Sequence, residues 1–64
     1  MNEQLKQFAT EAVQRSAQLE ASNEAKKRTA FAYINEKILE NKIENISLED
    51  IDKAIEEVWE ATMK

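Results

Sequence analysis

Hydrophobic and polar positions alternate with a helical period along most of the chain. Set at 100° per residue, Leu5, Phe8, Ala9, Ala12, Val13, Ser16 and Leu19 fall within one arc of about 140°. Gln4, Gln7, Glu11, Gln14 and Gln18 take the opposite side. This predicts a first amphipathic helix over about residues 3–21, with an alanine-lined seam that lets a partner helix approach closely. Residues 24–41 predict a second helix, with Phe31, Ile34, Ile38 and Leu39, helped by Ala30, as its apolar side. Between them runs SNEAKK, residues 22–27, where Ser22 or Asn23 can cap a new helix. No glycine or proline intervenes, so a break near residues 21–24 and one continuous helix both stand open.

The stretch NISLEDI, residues 45–51, starts a third helix over about 48–63. Ser47 is its cap: the hydroxyl accepts from the Asp50 N–H, and the Asp50 carboxylate reaches back to the Ser47 N–H. This is a capping box with aspartate in the usual glutamate position. Ile46 and Ile51 stand at hydrophobic-staple spacing, and Glu49 and Asp50 place negative charge at the positive end of the helix dipole. Upstream, Asn41 is expected to take the left-handed conformation that ends the second helix. On the third helix Leu48, Ile51, Ala54, Ile55, Val58, Trp59 and Thr62 form one face. Glu49, Asp52, Lys53, Glu56, Glu57 and Glu60 form the other. The pattern is all-α: two or three amphipathic helices with the last two as a hairpin, in one small domain, residues 1–64.

Size changes how that pattern is completed. The chain has 64 residues and no cysteine, so no disulfide can staple it. Below roughly 70–80 residues one core seldom supplies more than a few kcal/mol. Alanine supplies much of the apolar count here and buries little area. Self-association, with a dimer favoured, is the expected remedy. The residues assigned to it are Leu5, Phe8, Ala12 and Leu19 of the first seam, with Phe31, Tyr33, Ile34 and Trp59. Tyr33 reads either as an amphipathic side chain lying on the surface or as a subunit contact. Trp59, at the edge of its face, reads either as core or as an interface anchor.

Charge narrows the partners. Residues 1–32 carry five basic and four acidic side chains, and residues 33–64 carry four and nine. The net charge of −4 opposes binding to nucleic acid or anionic lipid. A helix-turn-helix reading of the last two helices fails for the same reason, because the would-be recognition helix exposes an acidic side. Lys26, Lys27 and Arg28 form the one basic cluster, which suits pairing with the acidic half of the same or a neighbouring chain. The longest apolar run, residues 30–34, is far short of the ~20 residues that span a bilayer. With no signal-peptide pattern at the amino terminus, the expectation is a soluble, cytoplasmic protein without membrane insertion.

Little chemistry is on offer. There is no histidine or cysteine for a soft metal site or a nucleophile–base pair. Glu56, Glu57 and Glu60 lie together on a polar face, with no apolar wall to tune them for acid–base work. No enzyme activity, cofactor or metal is expected.

Residues 25–64, AKKRTAFAYINEKILENKIENISLEDIDKAIEEVWEATMK, contain a lysine pair, an alanine and Tyr-hydrophobic helix, a short turn and an isoleucine-rich SxEDID helix. This order resembles the carboxy-terminal cytoplasmic region of the LL-H-type phage holins. The matching positions are Lys26, Lys27, Ala32, Tyr33, Ile34, Leu39, Ile43, Ile46, Glu49, Ile51, Ile55, Glu56 and Val58. EAVQRSAQLE, residues 11–20, is similar to the helix that precedes the region. Holins of this family carry an amino-terminal transmembrane helix that these residues do not contain, so the resemblance implies an assembly or regulatory role and not membrane permeabilisation. The function expected is therefore protein–protein association, above all self-association. The alternative is a small phage or bacterial regulator that binds a host protein through its acidic helical surface.

Overall fold

A computed structural model describes residues 2–63, with the Met63 side chain outside the description. It contains three helices: α1 Glu3–Ser16, α2 Asn23–Glu40 and α3 Leu48–Met63. They pack side by side into a body of 32 × 19 × 17 Å. The long axis is close to the ~27 Å expected of an 18-residue helix. Each helix packs on both others. The starts of α1 and α3 lie together, with Asn2 and Leu5 near Asn45, Ile46 and Asp50, and α2 packs on both: Lys27 meets Glu56 of α3, and Tyr33 meets Glu11 of α1.

Each helix begins on a side-chain cap. The Asn2 carboxamide oxygen accepts from the N–H groups of Gln4 and Leu5 at 2.8 and 3.1 Å, a start that the sequence pattern alone did not single out. Ser22 caps α2 by accepting from Ala25 N–H at 3.2 Å, so the break between the first two helices is real. It opens earlier than the expected 21–24, because α1 stops at Ser16, and runs to the Ser22 cap. Ser16 is buried and its hydroxyl donates to the Val13 carbonyl, spending a polar side chain on the final turn. Leu19 therefore lies in the linker, not on a helical seam.

The capping box of α3 forms as its spacing predicts. Asp50 N–H donates to Ser47 Oγ at 3.1 Å, and Ser47 N–H donates to Asp50 Oδ2 at 3.0 Å. Ile46 is half-buried against the core that contains Ile51, which completes the staple.

The end of α2 differs from expectation. Asn41 keeps φ −93°, and Lys42 takes the left-handed conformation at φ 53°. Lys42 N–H donates to the Leu39 carbonyl and Ile43 N–H to the Ile38 carbonyl, the two bonds of a Schellman motif. Two things place the left-handed residue at 42. Asn41 spends its side chain on the Lys37 carbonyl, at 2.8 Å, and Ile43 must turn back onto the core.

The core is contributed by all three helices: Leu5, Ala9, Ala12 and Val13 from α1, Ala30, Ile34 and Ile38 from α2, and Ile51, Ala54, Ile55, Val58 and Trp59 from α3. The alanine seam, expected to face a second copy, is covered here by the other two helices of the same chain. Leu5, Ala12, Ile34 and Trp59 are buried within one chain. The small side chains of Ala9, Ala12, Ala30 and Ala54, all at or near complete burial, let the three backbones approach closely enough to close the bundle.

Candidate interaction surfaces

With the core closed, the surface holds what remains for binding. The basic cluster is split by α2. Lys27 lies against α3, with its ammonium 3.1 Å from Glu56 Oε1 and 5.3 Å from the centre of the Trp59 ring. One cation thus serves an ion pair and a ring face together. Lys26 is half-buried, and Arg28 is exposed with no salt-bridge partner among the described residues. The three residues do not make one binding patch.

Tyr33 is likewise occupied within the chain. Its hydroxyl donates to Glu11 Oε2 at 2.9 Å, and Arg15 and Lys37 approach its ring at 5.0 and 5.5 Å. The ring is half-buried between α1 and α2 and acts as a strut between them. Phe8 and Phe31 are also half-buried against the core, so of the assigned interface residues Leu19 alone is exposed, at 43%.

The largest apolar exposure lies elsewhere. Leu39 is 70% and Leu48 64% exposed, although both were expected on buried faces. Leu39 sits about 140° around α2 from Ile34, on the side away from the core. Leu48 is the first residue of α3, where neither neighbouring helix reaches over it. The apolar residues of α2 are consequently spread round the helix, whereas those of α1 and α3 gather on one side. Thr62, also assigned to an apolar face, is exposed near the carboxy-terminal end of α3.

α3 turns its acids outward. Glu49 is paired with Lys53 and Glu56 with Lys27, while Asp50 holds the helix cap. Asp52, Glu57 and Glu60 are exposed without a salt-bridge partner among the described residues. Where α1 and α3 begin, a shallow open depression of about 450 Å³ is lined by Asn2, Leu5, Asn45, Ile46, Asp50, Lys53 and Glu57. Within it the Asp50 carboxylate accepts from the Ser47 N–H in the α3 cap, and none of the lining residues carries a hydroxyl, thiol or imidazole. Among the described residues no three acidic side chains converge as a metal site, and no helix is long and apolar enough to cross a membrane.

No protein-family model matches the chain, and neither a curated protein nor a solved structure matches it.

Proposed function

We propose that the chain is a non-enzymatic association domain that binds a second copy of itself. The observation that carries this reading is Leu39, 70% exposed on the outward side of a helix whose core is already complete. An isolated exposed leucine is ordinary. This one lies on a helix face that also presents Ala25 and Ala32, beside the exposed Arg28 and Glu36. The resemblance of residues 25–64 to the cytoplasmic region of LL-H-type holins supports the same role, assembly of a lysis protein from its cytoplasmic side. Sedimentation equilibrium from micromolar to millimolar chain tests it. A mass that rises with concentration is expected, and a constant monomer mass throughout would remove the proposal.

The acidic outer face of α3 supports a second reading, a regulator that docks on a basic surface of another protein. Asp52 and Glu57, exposed and unpaired among the described residues, are the observation in its favour. Charge complementarity of this kind speeds encounter and selects partners more than it adds affinity. A constant monomer mass would leave this reading as the one to pursue.

A further inference from the structure

We infer that the second copy docks antiparallel along the outer face of α2, with a two-fold axis passing beside Ala32. The inference rests on the self-association proposed above and specifies its surface. Ala25, Arg28, Ala32, Glu36 and Leu39 fall within an arc of about 80° on α2, centred away from the core. Ala25 is half-buried and the other four are exposed. A two-fold contact requires a surface that is complementary to itself. This face meets the requirement about a single point. Ala25 and Leu39 stand seven residues either side of Ala32, and Arg28 and Glu36 stand four either side. Turning one copy end over end therefore lays Leu39 on Ala25 of the other copy and brings Arg28 beside Glu36 of the other copy, each contact occurring twice.

The charges fit this arrangement and are free for it. Arg28 and Glu36 have no salt-bridge partner among the described residues, whereas Lys27, Lys37 and Lys53 are each paired within the chain. Ala32 at the crossing point permits the short end of the usual interaxial range, about 8 Å. There the Cβ atoms of Arg28 and Glu36 come within reach of a side-chain ion pair. One helix pair buries less than the ~1,200 Å² of a standard stable interface. The dimer is accordingly weak in free solution and is favoured wherever the chain is held at high local concentration.

Charge reversal tests the register. In the two-fold dimer Arg28→Glu turns both ion pairs into acid–acid contacts, and Glu36→Arg turns both into base–base contacts. Each single variant is expected to weaken dimerisation about tenfold or more in sedimentation equilibrium. The double variant Arg28→Glu/Glu36→Arg restores opposite charges across the axis and is expected to return to within about threefold of the parent. Both positions of change are exposed, and circular dichroism checks that each variant retains its helices. Cross-linking supplies an independent test, since the chain has no cysteine of its own. At axial separations of about 8–10 Å the two Cα atoms of residue 32 come within about 3.5–5.5 Å, which overlaps the ~4.4–6.8 Å that a disulfide spans. With oxidised glutathione, Ala32→Cys is expected to form a covalent dimer at least about tenfold faster than Glu57→Cys on α3. Self-association that persists unchanged in the single charge reversals, or cross-linking no faster at position 32 than at 57, overturns this docking mode while leaving self-association standing. A parent chain that stays monomeric to millimolar concentration overturns both.

Discussion

The hydroxyl of Tyr33 donates to Glu11 Oε2 at 2.9 Å, tying α2 to α1 across their half-buried seam while Arg15 and Lys37 flank the ring. The contact is partly exposed, so the hydrogen bond alone is worth little. Tyr33→Phe is expected to lower stability by about 0.5–1 kcal/mol, and Tyr33→Ala by about 2 kcal/mol or more through lost ring packing. Urea unfolding of the two variants separates these contributions. Equal effects would mean that the ring contributes nothing beyond its hydroxyl.

Replacing Ser47 with alanine removes one half of the reciprocal bond pair that starts α3. The expected loss is about 1 kcal/mol, read as a lower thermal midpoint. Ser47→Asp, which keeps an acceptor at the cap, should retain most of the parent stability.

Ile34 and Leu19 make opposite predictions, although both carried apolar weight in the sequence pattern. Ile34 is fully buried at the centre of the bundle. Ile34→Ala should cost about 2–5 kcal/mol, enough to unfold much of so small a domain. Leu19 lies in the exposed linker, and Leu19→Glu should change stability by less than about 0.5 kcal/mol. A large loss at Leu19 would show that the linker packs more tightly than its exposure implies.

Lys42 occupies a left-handed position that asparagine tolerates better and β-branched residues tolerate poorly. Lys42→Asn should therefore be neutral or slightly stabilising, and Lys42→Val should cost about 1 kcal/mol or more. Reversal of that order in thermal unfolding would place the left-handed turn elsewhere.

Much of the fold was legible because its signals were local. The Ser47–Asp50 box and the Ile46–Ile51 staple lie within six residues, and spacing alone decides whether they can form. The face of α1 was equally readable through Leu5, Ala12 and Val13, because a period of 3.6 residues leaves little choice of side. What covers that face is a tertiary question. The same seam of small side chains can serve a second copy or two helices of one chain, and here α2 and α3, returned by the linkers of residues 17–22 and 41–47, pack onto it. Leu39 was misplaced for a different reason. Its neighbour Ile38 is buried, and a run of adjacent apolar residues obscures which of them points outward. Tyr33 and Lys27 were visible as candidates, but their partners Glu11 and Glu56 lie 22 and 29 residues away, beyond any local pattern.

The turn after α2 reaches φ 53° at Lys42, and the loop before α3 reaches φ 67° at Asn45, in a chain that contains no glycine at all. Both turns have side chains where many proteins place a bare backbone. A side chain at such a position narrows the denatured ensemble, but at positive φ it brings a steric cost in the folded turn that outweighs this gain, roughly 1–2 kcal/mol for a residue such as lysine and less for asparagine. A bundle with a core of alanines and a few isoleucines has little burial to set against that cost. The bonds from the Lys42 and Ile43 N–H groups back to the end of α2 are what hold the first of these turns, and through it the path from α2 to α3.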